Sequence, residues 1–171
     1  MAPHRYQIKP PEKAAKSCQR SIRVHYKNTY SVGRVLVGMD LSRAKRYLNQ
    51  VIRKKEAVPF RKYTGGIGRH AQAKQWKTSQ CRWPVKSCYA FLNILRNAEA
   101  NATVQGLKKD KLFISHVHVN RAPQMRRRTF RAHGRIGKYN YSPSHVEVLL
   151  EERTEVTKTP PKKEKKEEEK K

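Results

Sequence analysis

Carboxylates are scarce in this chain of 171 residues: 13 Asp and Glu stand against 40 Lys and Arg, a net charge of +27. Seven of those acids and eight of the bases fall in residues 151–171, which leaves six acids and 32 bases in residues 1–150. The six are Glu12, Asp40, Glu56, Glu99, Asp110 and Glu147, scattered along the chain, with Asp40 placed to cap a helix. A paired-carboxylate or two-metal site needs several acids converging on one cleft, so nuclease chemistry of that kind has no support. Cysteine is also sparse. Cys18, Cys81 and Cys88 are odd in number and form no Cys-x-x-Cys, which argues against a disulfide framework and a zinc ribbon and fits a reducing compartment. The first 20 residues have no apolar core, so no signal peptide is expected there. No apolar run approaches the roughly 20 residues of a membrane span.

What the chain has instead is cationic charge, in excess by about a sixth of all residues. A free globular body at that density repels itself, so a polyanion is the natural partner. Nucleic acid leads, because phosphate neutralisation releases counterions. A merely basic soluble protein fits poorly, since ordinary surface tuning stops well short of this. The charge peaks in residues 121–138, RAPQMRRRTFRAHGRIGK, with seven Arg and Lys and no acid. Met125, Phe130, Ala132, Gly134 and Ile136 interleave the arginines. Guanidinium forks grip phosphates and stack on bases, and the small and apolar residues permit close approach, which a merely solvated loop would not need.

The pattern of periods predicts an α+β body. Residues 1–20, with Pro3, Pro10 and Pro11, are expected to be extended and ordered only against a partner. Residues 21–27 alternate Ile22, Val24 and Tyr26 with Arg23, His25 and Lys27, a strand pattern. Ser31 is placed to cap a short helix closed by Gly38, and Asp40 or Ser42 to start a second, with Leu41, Ala44, Leu48, Val51 and Ile52 on its apolar face and Pro59 barring continuation. Residues 86–105 are the clearest helix, striped by Cys88, Phe91, Leu92, Leu95, Ala98 and Ala102 and closed by Gly106. From Leu112 the period becomes two: Phe113, Val117 and Val119 share one face, and after the basic segment Val146, Val148 and Leu150 do the same. Two strands flanking a long insert predict an extended antiparallel hairpin over 112–150. At about 15 residues per arm it reaches on the order of 50 Å, so its tip leaves the body. Residues 153–171 are low in complexity and blocked in charge, a disordered tail by expectation.

Residues 57–84 follow neither period. They hold three Gly, two Pro, the aromatics Phe60, Tyr63, Trp76 and Trp83, and six Arg and Lys. A loop of this length without a core is functional or disordered, and the aromatics argue against disorder. Two accounts stand equally: rings stacked on RNA bases, or a loop packed on its own domain. Gly66-Ile67-Gly68-Arg69-His70-Ala71 superficially matches a dinucleotide fingerprint, but no apolar strand precedes it and no βαβ unit surrounds it. His116 and His118 share a strand face, with His145 placed to lie opposite. A zinc site there lacks ligands, and histidines meeting RNA or packing on the outer sheet face fit better.

RVHYKNT (23–29), VPFRKYTGGIGRHAQAKQW (58–76), RWPVKS (82–87), NAEANA (97–102) and VNRAPQMRRRTFRAHGRI (119–136) resemble the universal large-subunit ribosomal protein twenty-two family, seventeen in the older eukaryotic naming. The resemblance covers residues about 10–152, and 57–84 follows the archaeal and eukaryotic branch. It implies three helices packed on a small three-stranded antiparallel sheet, with a protruding β-hairpin. It implies a structural, non-enzymatic constituent of the large subunit, without cofactor, metal, membrane or homo-oligomer, that binds several rRNA domains and supports assembly. Domain bounds follow as an N-terminal segment 1–20, an rRNA-binding domain 21–152 and a tail 153–171. The residues expected on rRNA are Arg23, Lys27, Arg43, Arg61, Lys62, Arg69, Lys74, Trp76, Arg82, Arg121, Arg126, Arg127, Arg128, Arg131, His133, Arg135 and Lys138. The tip, Arg128, Thr129, Phe130, Arg131, Ala132, His133, Gly134 and Arg135, is expected to line the nascent-peptide exit tunnel. Neighbouring large-subunit proteins and the nascent peptide are the other partners implied. The implied location is the cytosolic subunit, with nuclear and nucleolar passage during assembly. The rival classes are a free architectural protein on DNA and an RNA-processing enzyme.

Overall fold

The longest helix sets the frame. In this computed structural model, which describes residues 13–153, Val85–Val104 forms one continuous 20-residue helix (α3). Its buried side chains, Ser87, Cys88, Phe91, Leu92, Ile94, Leu95, Ala98 and Ala102, recur at three and four residues and make a stripe that must be covered. Gly106 ends it with φ 74°, where its N–H bonds the Thr103 carbonyl and that of Leu107 reaches Ala102. This pair of bonds satisfies carbonyls that the last turn leaves unpaired.

Seven strands and three α-helices are described: β1 (Ala14–Ile22), α1 (Tyr26–Leu36), α2 (Leu41–Ile52), β2 (Val58–Pro59), β3 (Cys81–Arg82), α3, β4 (Leu112–Arg121), β5 (Arg128–Phe130), β6 (Ile136–Lys138) and β7 (Ser144–Glu152). The class is α+β with antiparallel sheets, as the sequence predicts. The main sheet has the order β1-β7-β4, both outer strands antiparallel to β7. α3 lies over β1 and α1 over β4, with α2 against α3. Ala15, Val146, Val148, Leu150, Ile114 and Val119 of the sheet meet Val32, Leu36, Leu48, Phe91, Leu95 and Ala98 of the helices in one core.

Several expectations shift. The strand predicted at 21–27 lies earlier, in β1, so residues 14–22 are sheet rather than a segment waiting for a partner. The chain turns at Ser21 (φ 51°) and enters α1 directly. His25 caps α1 by accepting from the Lys27 N–H (3.3 Å). Ser31, predicted as a cap, lies inside that helix and returns its hydroxyl to the Lys27 carbonyl (3.1 Å). α2 stops before Pro59 is reached: Lys54 adopts φ 59°, and the Lys54 and Lys55 N–H groups bond the Val51 and Gln50 carbonyls. Asp40 holds the position before α2, but its side chain makes no cap bond and faces Arg153 at 3.4 Å.

In β4 the predicted face is wrong for one residue. Pairing with β7 slips between Ile114 and His116, and this irregularity reverses the alternation. Leu112 and Ile114 therefore enter the core with Val119, while Phe113 stands under the Arg153 guanidinium (5.5 Å). Gly33 of α1 crosses β4 closely: a Cβ there would lie 3.0 Å from Val117 and 3.1 Å from Val119. The parts of the expected 1–20 segment and of the 153–171 tail that fall before Lys13 or after Arg153 lie outside the described residues.

Candidate nucleic-acid interface

Beyond Arg121 and Ser144 the two chain arms stay paired; Ala122 and Pro143 are still buried, and from Arg126 outward no buried residue lies beneath the pair. Ala122 N–H reaches Pro143, Met125 and Tyr141 exchange both backbone bonds (3.1 and 2.9 Å), and Tyr139 N–H reaches Arg127 (3.0 Å). Pro123 and Pro143 lack a donor, so the ladder is interrupted there. It resumes as β5 against β6, with Arg128 opposite Lys138 and Phe130 opposite Ile136. The end is a tight turn in which the Arg135 N–H donates to Ala132 and both central residues have positive φ, His133 at 57° and Gly134 at 67°. That combination is the primed turn that matches strand twist, and glycine and, to a lesser degree, histidine tolerate it.

The ribbon so built is almost wholly exposed. Phe130 is 79% exposed, Ile136 57% and Tyr139 62%. Arg126, Arg127, Arg128, Arg131, His133, Arg135 and Lys138 stand on it with no acid between Asp110 and Glu147. Arg127 alone of these has a recorded ring partner, Tyr139 at 5.6 Å.

A second cationic group forms at the ribbon's root. Tyr26 and Tyr30 on α1 and Tyr63 from the 57–84 loop make a triangle of rings, with centroids 5.9–6.3 Å apart. Three cations rest on it: Lys27 on Tyr63 (5.4 Å), Lys62 on Tyr30 (5.1 Å) and Arg121 on Tyr26 (5.0 Å). Burial, and then a hydrogen bond with Tyr63, raise the Tyr26 phenol above its ordinary pKa. Holding long side chains on ring faces reduces the freedom they would lose on meeting a phosphate. Sequence reasoning missed this group. Tyr26 and Tyr30 are four apart and share a face once the segment is helical, but a strand assignment over 21–27 hides that spacing.

The 57–84 loop is ordered by its own domain. β2 pairs with β3, and the Trp76 indole N–H and the Tyr47 hydroxyl both donate to the Ala57 carbonyl (3.1 and 3.0 Å). Trp83 donates to Gln72 (3.0 Å), Arg82 to the Gly66 carbonyl (2.7 Å) and Arg61 to the Trp76 carbonyl (2.9 Å). Of the two accounts open in the sequence, packing therefore holds for Phe60, Trp76 and Trp83. Arg69 and Lys74 line a hollow of about 560 Å³ with His70 and Lys77.

Not every expected contact is free. Arg43 grips both oxygens of Glu56 (3.0 and 2.9 Å) and touches Gln50. The bond with Glu56 raises its pKa further, and the guanidinium serves the body. Arg23 is exposed, and its carbonyl accepts from the Tyr141 hydroxyl. The His145 Nδ1 accepts from the Ser21 N–H (3.1 Å), while His116 and His118 stack 6.1 Å apart. Among the described residues no three His, Cys, Asp or Glu converge as a metal group, and no helix is long and apolar enough to cross a membrane.

A helix-covered antiparallel sheet with an acid-free cationic ribbon defines a class, the basic α+β proteins. Comparison narrows it. The family "Ribosomal protein L22p/L17e" matches residues 17–151. Proteins called large ribosomal subunit protein uL22 are similar over most of their length. The one from Phlebotomus papatasi is 55% identical over 149 residues, covering 85% of this chain and 80% of that protein. Those from Argas monolakensis and Caenorhabditis elegans are 53% and 52% identical, covering 91% and 88% of this chain and 85% and 82% of theirs. This chain belongs to the L22p/L17e family of ribosomal proteins, a structural and non-enzymatic family.

Proposed function

We propose that the protein is a structural constituent of the large ribosomal subunit, binds several domains of its RNA and supports its assembly. The observation that carries this is the ribbon. It keeps seven Arg and Lys, Phe130 and Ile136 in solvent over residues 121–138, held by backbone pairing with little burial and with no carboxylate among them. Like charges at this density are relieved by phosphate, and exposed rings and guanidinium planes stack on bases. The Tyr26–Tyr30–Tyr63 group with Lys27, Lys62 and Arg121 fixes the root of the ribbon, while Arg69, Lys74 and Arg82 extend the contact along the loop.

In this reading the ribbon is a hairpin that leaves the body, and its tip, Arg128–Arg135, lines the exit tunnel beside the nascent peptide. The expected domain 21–152, extended at its start by β1 (Ala14–Ile22), acts as one rRNA-binding unit bordered by other large-subunit proteins. The protein works in the cytosol after nuclear and nucleolar assembly. A particle map tests the tip. Subunits assembled with 126–135 deleted should show a widened tunnel wall, and an unchanged wall removes the assignment. Sedimentation tests the rest: essentially all the protein should travel with large subunits, whereas a free pool bound to DNA supports an architectural protein.

A further inference from the structure

A hollow of about 420 Å³ lies between α1 and the 57–84 loop, beside the tyrosine triangle. Its lining is mixed: Val35, Val37, Pro59 and the half-buried Trp76 supply apolar surface, and Tyr30 and Ser31 add hydroxyls. Val37 follows the last turn of α1 and is 40% exposed. The rim is cationic. Arg34, Arg61 and Lys62 contribute, and no carboxylate lines the cavity. Two of these cations are already held, Arg61 by the Trp76 carbonyl (2.9 Å) and Lys62 on the Tyr30 ring. The volume falls within the roughly 300–1,000 Å³ of small-molecule sites.

We infer that this hollow receives one unpaired ribonucleotide of the bound RNA, its base turned inward and its phosphate on the rim. The Trp76 indole and the Tyr30 ring among the lining suit the face of a base, a sequence-tolerant contact because every base has a π-face. Three cations around the mouth suit the phosphate that follows. An apolar side chain from a protein would bring no anion to the three cations at the mouth, and a paired nucleotide would keep its base inside the helix. The inference rests on the RNA-binding reading and refines it, since the ribbon and this hollow would then meet different kinds of RNA: the ribbon a backbone, the hollow a single extruded base.

The test uses full-length protein assembled into large subunits, with a benzophenone amino acid at Val37 in one preparation and at Phe130 in another. The expected result is a crosslink from position 37 to one unpaired rRNA nucleotide and from position 130 to RNA. A crosslink from 37 to protein or to base-paired RNA, with 130 still on RNA, overturns the inference and leaves the proposed function standing. RNA crosslinks from neither position remove both. As a second measurement, the purified chain should bind an RNA duplex with one bulged 2-aminopurine roughly tenfold better than the perfect duplex, the scale of one base stacked on a ring. In Val37→Glu that preference should fall near one, and a preference that survives the substitution overturns the inference.

Discussion

Arg43 gives its guanidinium to Glu56, while Arg131 stands on the ribbon with no acid near it in sequence. The two should separate in a salt titration. If Arg131 meets a phosphate as proposed, Arg131→Ala should lower the slope of log affinity against log salt by about 0.7–0.9. Arg43→Ala should leave that slope unchanged and cost about 0.2–1 kcal/mol of stability in urea, small because its guanidinium is partly exposed and screened. Buried acids at the residue scale set a pH limit. Burial pushes the Cys88 thiol up to about 12 and raises the Tyr47 phenol above its ordinary value. A raised native pKa means the folded state holds the proton more tightly than the unfolded one. The stability this gives is whole below the unfolded values, about 8.5 for Cys and 10 for Tyr, and is lost as pH rises through them toward the native ones. Urea midpoints should therefore fall between pH 8.5 and 10.5, and less steeply in Cys88→Ala. Midpoints that fall equally in both would remove Cys88 as a cause.

Helix α1 is held to β4 by the absence of a side chain at Gly33. Gly33→Val should force Val117 and Val119 aside, and overpacking of this kind costs about 1–3 kcal/mol, read as a lowered melting temperature. The end of α2 offers the opposite case. Lys54 occupies a left-handed conformation that costs an L-residue roughly 1–2 kcal/mol, so Lys54→Gly should stabilise the protein, by an amount reduced by glycine's unfolded-state entropy. A drop in stability would show that the Lys54 side chain has a contact outweighing the strain. The ribbon turn needs the same freedom at Gly134 (φ 67°), and Gly134→Val should disturb β5 and β6 alone, because no core residue of the body lies there.

Body and ribbon form one chain stabilised in two ways. The body buries a helix-covered sheet, whereas the ribbon has backbone pairing and little burial. Deleting 126–135 should leave the melting of the purified body unchanged. It should also lower the salt slope of RNA binding by about four, the sum of five arginines at 0.7–0.9 each. A body that melts much lower without the ribbon would contradict this division.

The sequence alone determined the class, because carboxylate scarcity and charge density hold for any fold, and it placed α2, α3, β4 and β7 through apolar period and glycine stops. Tertiary structure decided the rest. An edge strand such as β1, whose buried side chains are only Ala14, Ala15 and Ser17, carries little apolar alternation, and its position is set by pairing with β7, a partner more than 100 residues away. The irregularity in β4 that turns Phe113 outward depends on register with that same strand. Which cations stay available was likewise invisible: Arg43 is claimed by a carboxylate 13 residues on, and Lys27, Lys62 and Arg121 are gathered by three tyrosines that only folding brings together. Charge is a property of each side chain, but its freedom to meet a partner depends on neighbours that the linear order does not name.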